Sequence, residues 1–376
     1  MKLTAKVKLT PTDTQADSLK RTLETGNAAC NQISGVAWDS QTFGKFQVQK
    51  LVYHDVKAIF DLTAQLVIRC IAKVTDAYKL DKKTKREFRP LGSIAFDNRI
   101  LSWKLDKNEI SIWTVDGRQK IGFVCHARAK ELLLGAHGES DLCLIDGEFY
   151  LFTSCQVEEE TPKDVDDFLG VDLGIAQIAS DSDGNQYSGK QVNGLRYRHA
   201  RLRSKLQSIG TKSAKRLLKR RRRKELRFAK NVNHQISKEL VGRAKDTNRG
   251  IALEDLTAGA HWARERVTVK KARRRQHSSW SFFDLRAKIE YKAQLHGVAV
   301  VLVDPRNTSR TCSSCGCIDK ANRKSQSNFV CVSCGFVSNA DTNAAVNIRI
   351  RGRALVNAPN VSARKIASSQ GQAHEL

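Results

Sequence analysis

The sequence predicts a multidomain α+β protein, on three observations. Strand-like alternation opens the chain and gives way to helical spacing. Short alternating strands separated by Asp-Gly turns fill the middle. Two Cys-x-x-Cys pairs interrupt a region of apolar strands and helices near the C-terminus. At 376 residues, two or three domains can each bury a core of their own.

Leu3, Ala5, Val7 and Leu9 alternate with polar neighbours over 2–10, the pattern of a half-buried strand. Thr12 and Gln15 form a capping-box pair, and Ala16, Leu19 and Leu23 follow at helical spacing. A second helical region is expected over about 47–79, with Leu51, Val52, Val56, Ile59, Phe60, Leu66, Val67, Ile71 and Val74 on a broad apolar face. The segment 81–87 reads as a basic connector. Strands are expected at 100–105, 109–115, 120–125, 143–146 and 150–157, with Asp116-Gly117 and Asp146-Gly147 as hairpin turns. This spacing indicates a small β-barrel, with the first strand completing it and the helical lobe inserted.

Phe168-Leu169-Gly170-Val171-Asp172-Leu173-Gly174 begins a third region: a buried-type strand interrupted by one carboxylate. Asp183-Gly184 marks another hairpin. A helical segment over 196–249 carries a thin apolar stripe of Leu202, Leu206, Leu217, Leu218 and Leu226. Gly250-Ile251-Ala252-Leu253-Glu254 is a second short apolar strand ending in an acid. A helix over about 280–295 leads into a strand at 298–303, and Asp341 opens a last helix through Ala344, Ala345 and Ile348. From Asn357 the chain is small and polar, and is expected to be mobile.

A formal charge of +26 and a pI near 9.8 point to a polyanionic partner, nucleic acid above all. The excess is local: 196–230 holds sixteen Lys/Arg against the single acid Glu225, and 264–275 holds seven against Glu265. Residues 12–80 are nearly balanced, with eight bases and seven acids. The concentration favours a phosphate-lined channel over a merely solvated face. Beside these runs, Trp262, Trp280 and Phe282 are candidates for stacking on bases and His261 and His277 for touching phosphate; for Trp280 core packing is the stronger expectation. With a mean hydropathy of −0.44 and no apolar run near the ~20 residues of a membrane helix, no membrane partner is expected.

Cys312-Ser313-Ser314-Cys315-Gly316 is answered by Cys331-Val332-Ser333-Cys334-Gly335, with fifteen residues, 316–330, between the two Cys-x-x-Cys pairs. That spacing suits four thiolates on one tetrahedral Zn²⁺, and the glycine after each pair lets the chain curl away. A closed four-sulfur site leaves zinc no place for water or substrate, so its role is structural. Cys317 lies close enough to compete but is expected to be a bystander. With Cys30, Cys70, Cys125, Cys143 and Cys155 it reads as a reduced thiol of a cytosolic protein.

The chemistry must lie elsewhere. Asp172, Glu254 and Asp341 each sit at a strand end or helix start amid apolar or basic residues. Carboxylates from three separate elements suit a pair of Mg²⁺ ions, which want oxygen ligands and stabilise the attacking and leaving oxygens of an in-line displacement. Gly174 is expected to let backbone approach the phosphate.

Four segments together resemble the RuvC-type nuclease motifs of the TnpB family, the transposon-encoded RNA-guided DNA endonucleases related to compact type V CRISPR effectors. They are Gly170-Val171-Asp172-Leu173-Gly174-Ile175; Ala252-Leu253-Glu254-Asp255-Leu256; Thr308-Ser309-Arg310-Thr311-Cys312-Ser313-Ser314-Cys315-Gly316; and Asn339-Ala340-Asp341-Thr342-Asn343-Ala344-Ala345. The motifs cover about 170–350; the first 165 residues match in layout only.

The resemblance implies a β-barrel wedge domain over 1–10 and 81–165, with a helical recognition lobe inserted at 11–80. It implies an RNase H-like α/β RuvC core over 166–303 and 340–356, an inserted zinc ribbon over 304–339 that binds target nucleic acid, and a disordered tail over 357–376. Asp172, Glu254 and Asp341 would hold two catalytic Mg²⁺, and Cys312, Cys315, Cys331 and Cys334 one structural Zn²⁺. The implied partners are a guide RNA from the transposon end and double-stranded target DNA cut beside a short motif. The protein would act as a monomer in a prokaryotic cytoplasm, on the nucleoid. The sequence leaves two alternatives open: a nuclease-inactive RNA-guided DNA-binding repressor, and a transposase of the same fold.

Overall fold

Alternation at the start of the chain becomes strand β1 (Lys2–Thr10), which buries Ala5, Val7 and Leu9 and exposes Lys2, Thr4 and Lys6. The computed structural model describes residues 1–135, 137–174, 176–255 and 282–357. It divides the chain into two units, Met1–Glu158 and Glu159–Leu376. Trp262, Trp280, His261, His277, the side chain of Phe282, the basic run 264–275 and the tail beyond 357 lie outside the described residues.

In the first unit three helices follow β1: α1 (Asp13–Asp39), α2 (Lys45–Phe60) and α3 (Ala64–Leu80). The capping box is present, with Gln15 N donating to Thr12 Oγ1 at 3.3 Å and Thr12 N to Gln15 Oε1 at 3.1 Å. The expected single helical region over 47–79 is two helices. Asp61 turns left-handed (φ 45°) to end α2, and the Thr63 side chain accepts from Leu66 N to start α3. Apolar residues on both sides of that break hide it from a periodicity reading.

Strands β2 (Ile94–Phe96), β3 (Leu101–Lys104), β4 (Glu109–Thr114) and β5 (Gly117–Val124) come next. Helix α4 (Ala127–Leu134), β6 (His137–Ile145) and β7 (Glu148–Gln156) complete the unit. The order β2-β6-β7-β1-β5-β4-β3 makes a near-closed antiparallel barrel. β1 holds it together, pairing with β7 from Lys2↔Gln156 to Lys8↔Tyr150 and with β5 from Lys8↔Val124 to Thr10↔Gly122. At the β6–β7 turn Asp146 and Gly147 both take positive φ (56° and 86°), which selects Asp-Gly there. One apolar core runs from Val7 and Leu151 of the barrel to Leu23, Ile33 and Ile71 of the helices.

The second unit is built on five strands: β8 (Phe168–Asp172), β9 (Gln177–Asp181), β10 (Gln186–Ser188), β11 (Gly250–Glu254) and β12 (Val300–Val303). Helices α5 (Lys190–Ile209) and α6 (Lys212–Asp246) separate β10 from β11, and α7 spans Phe282–Leu295. The order β10-β9-β8-β11-β12 is mixed: β10, β9 and β8 pair antiparallel, and β8, β11 and β12 pair parallel. The short strands β13 (Asn328–Val330) and β14 (Val337–Asn339) pair antiparallel and lead into α8 (Ala340–Val356).

Helix α8 lies close on the sheet because two glycines permit it. A Cβ on Gly170 would stand 2.1 Å from Ala345 O and 2.5 Å from Arg349 N, and one on Gly352 would stand 2.8 Å from the Ala252 side chain. Gly174 has a local reason of the same kind: a Cβ there would meet Gln177 O at 2.8 Å.

Candidate active site and metal centre

The two cysteine pairs fold as near copies of one another. Gly316 N donates to Cys312 O and Gly335 N to Cys331 O (2.9 and 3.1 Å), with φ of 77° and 74° at the glycines. Cys312 N donates to Cys317 O, and Cys331 N to Phe336 O, both at 2.9 Å. The turns bring Cys312 Sγ within 3.7 Å of Cys334 Sγ and Cys315 Sγ within 3.6 Å of Cys331 Sγ. Four thiolates at about 2.3 Å from one ion sit roughly 3.8 Å apart, so the spacing suits zinc. Backbone N–H groups of Cys334 and Ser333 lower the Cys331 thiol, while hydrogen bonds shared with the neighbouring thiols raise Cys315, so the four sulfurs hold their protons as one cluster. Cys317 is not among the four sulfurs, which all lie within 4.8 Å of one another.

Between the knuckles, fully buried Asn322 ties the module together. Its Nδ2 donates to Arg310 O and Cys317 O at 2.9 and 3.1 Å, and its Oδ1 accepts from Val332 N at 2.9 Å. Phe329, buried with Cys312, Cys331 and Ala340, fills the small core.

The three carboxylates come from three elements. Asp172 ends β8 and Glu254 ends the adjacent parallel strand β11, one residue beyond the Val171↔Leu253 pair. Asp341 stands in the first turn of α8, where the Asn339 side chain accepts from Asp341 N and Thr342 N at 2.9 and 3.2 Å. The carboxyl ends of parallel strands are where open α/β sheets place their sites, and a helix N-terminus favours an anion.

Burial pushes the Asp172 carboxyl up to about 8, with the Glu254 and Asp341 charges adding to the shift. Burial also raises Glu254 and Asp341. The group thus carries more negative charge than its surroundings compensate. The carboxylate oxygens do not gather as tightly as the cysteine sulfurs, the one group of potential metal ligands within 4.8 Å among the described residues.

Two further side chains reach this group, and sequence reasoning assigns neither a role. Arg323 Nη2 donates to Asp341 Oδ1 at 3.0 Å and opposes the rise of both Asp341 and Asp172. Thr308 Oγ1 donates to Glu254 Oε1 at 2.5 Å. Thr308 belongs to one of the four TnpB-like segments, whereas Arg323 lies between the knuckles with nothing in the sequence to mark it.

Helices α5 and α6 form a hairpin at Gly210 (φ 67°), with the Thr211 side chain accepting from Ala214 N at 3.2 Å. Of the expected stripe, Leu206 is buried, Leu202, Leu217 and Leu218 are partly buried, and Leu226 is 54% exposed. Arg198, Arg201, Lys215, Arg216, Lys219, Arg220 and Arg222 are exposed, a surface of one sign suited to a polyanion. No described helix is long and apolar enough to cross a membrane.

A family model described as "Cas12f1-like, TNB domain" matches residues 282–348, and one described as "Probable transposase" matches 152–264. A CRISPR-associated endodeoxyribonuclease Cas12f1 of Sulfoacidibacillus thermotolerans is 33% identical over 221 residues, covering 54% of this chain and 50% of that protein. The TnpB-like protein MJ0751 of Methanocaldococcus jannaschii is 32% identical over 199 residues, covering 50% of this chain and 69% of that protein. The chain spans half or less of the first Cas12f relatives it matches. The cryo-EM structure of a Cas12f1–sgRNA–target DNA complex superposes with a TM-score of 0.58 at 15% identity, covering 90% of this chain and 83% of that one, a likeness of fold. The chain is a member of the TnpB family, carries a Cas12f-like cysteine module, and is related to the Cas12f type V CRISPR effectors.

Proposed function

We propose that this chain is an RNA-guided DNA endonuclease of an insertion sequence, cutting target DNA beside a short motif by two-metal phosphodiester hydrolysis. One observation carries the reading: Asp172, Glu254 and Asp341 share one electrostatic neighbourhood at the end of two parallel strands and the start of α8. Mutually repelling, partly desolvated carboxylates fit hard divalent cations, which relieve the repulsion and take oxygen ligands. When bound, two Mg²⁺ would supply Lewis-acid stabilisation to the oxygens of an in-line displacement.

The rest of the chain holds the nucleic acid. The mixed five-stranded sheet with acids at adjacent strand ends supports an RNase H-like RuvC core over 166–303 and 340–356. The zinc-held ribbon, 304–339, delivers Thr308 and Arg323 to the carboxylates. The exposed bases of α5 and α6 suit the backbone of a guide–target duplex, whose sequence is read by pairing. In this reading 1–10 and 81–165 form the wedge, 11–80 form the recognition lobe, and the guide RNA derives from the transposon end.

The decisive experiment purifies the chain with its bound RNA, sequences that RNA, and offers matched DNA in Mg²⁺. A discrete RNA and guided cutting are expected. Asp172→Ala, Glu254→Ala and Asp341→Ala should each bring cleavage below detection while guided binding persists. Full cleavage by any of the three, or the absence of a discrete RNA, would overturn the reading. Joined donor–target products would instead favour a transposase, the description of the family model over 152–264.

A further inference from the structure

We infer that Thr308 is a positioning residue that fixes the Glu254 carboxylate from within the cysteine-bearing segment. The inference rests on the nuclease reading above. Thr308 is 3% exposed, and its Oγ1 stands 2.5 Å from Glu254 Oε1 and 3.1 Å from Pro305 O. A hydroxyl has one proton, and the shorter, charge-assisted bond to the carboxylate claims it.

Thr308 is itself anchored. Its backbone carbonyl accepts from Asn347 Nδ2 at 2.9 Å, and the same amide reaches Thr311 O at 2.7 Å. One turn earlier on α8, Asn343 Nδ2 donates to Thr311 O at 2.8 Å, and its Oδ1 accepts from Ser313 N at 3.0 Å. Asn343 and Asn347 are buried, and at i, i+4 they lie on one face of α8. The helix that carries Asp341 therefore also fixes Thr308, and through it Glu254, which belongs to a strand. Two carboxylates of the site are set in one frame by a hydroxyl and two amides.

An apolar substitute of the same shape removes only the proton donor. Thr308→Val leaves the backbone anchors in place and frees Glu254 to rotate, whereas Thr308→Ser keeps the hydroxyl. Loss of a group that orients a metal-binding carboxylate costs about 10–100-fold in metal affinity or rate.

The test compares the native RNA complex with both variants. It measures single-turnover cleavage, guided DNA binding, melting temperature, and Mn²⁺ affinity by electron paramagnetic resonance. Thr308→Val is expected to lose about 10–100-fold in cleavage and in Mn²⁺ affinity, with binding and melting close to native. Thr308→Ser is expected to recover most of both. Native Mn²⁺ affinity in Thr308→Val, or a Thr308→Ser variant as impaired as Thr308→Val, would overturn the assignment. A native complex that never cuts DNA would fail the nuclease reading, and the Mn²⁺ comparison would still decide the role of Thr308.

Discussion

Asp172 and Asp304 show how far surroundings separate two identical side chains. Hydrogen bonds from Arg306 hold Asp304 down to about 2, while burial and two neighbouring acids push Asp172 up to about 8. A folded-state value above the ordinary 3.8 of Asp172 means the folded chain binds more protons than the unfolded one between those limits. Stability contributed by protonated Asp172 is present at acid pH and is lost as pH rises toward 8. In magnesium-free buffer the melting temperature should therefore fall more steeply between about pH 5 and about pH 8 for the native chain than for Asp172→Asn. Calorimetry at a series of pH values checks this, and parallel curves would count against it. Millimolar Mg²⁺ should flatten the native curve, since a bound cation takes over the compensation that the proton provided.

At the scale of elements, the site depends on how closely α8 approaches β8. The Cβ of Gly170→Ala would have to displace Ala345 O and Arg349 N, both backbone atoms that cannot swing aside. Strand and helix must part, and with them Asp172, two residues along β8, and Asp341 on α8. A destabilisation of about 1–3 kcal/mol is expected from overpacking, together with a larger loss of cleavage than of RNA binding. Denaturant melts and cleavage rates of the variant test this, and a native midpoint with native activity would refute it. The same close approach marks what the sequence can show. The cysteine pairs are legible because metal geometry fixes their spacing, and the Thr12–Gln15 box because it is local. The three acids stand out for their apolar surroundings. Gly170 is visible only as part of a motif, because the helix that requires it lies some 175 residues further on. Thr308 and Arg323 take no role in the sequence for the same reason: their partners are set by packing, and no spacing announces them. The break at Asp61 stays hidden because apolar residues continue on either side of it.

Across the whole chain, a net charge of +26 argues for a polyanion without saying where it lies. The sequence concentrates much of the excess over 196–230, and the structure shows how that stretch presents it. Over 196–230 the α5–α6 hairpin buries little beyond Leu206 and Ala214 and leaves most of its bases exposed. The one carboxylate in that stretch is Glu225, which Arg203 engages at 2.7 Å. Such a surface binds phosphate by releasing counterions, so affinity should depend steeply on salt. Replacing the exposed Arg216, Lys219 and Arg220 of α6 by glutamine should weaken nucleic-acid binding about equally for all sequences. It should also lower the slope of log affinity against log salt by roughly one for each phosphate that is no longer neutralised. Asp172→Ala should do the reverse, keeping the native slope while losing cleavage. Filter binding across a salt series, with cleavage measured on the same preparations, separates the two effects. An unchanged slope in the triple variant would move phosphate binding off α6, and a changed slope in Asp172→Ala would show that the acids and the basic hairpin do not divide chemistry from binding.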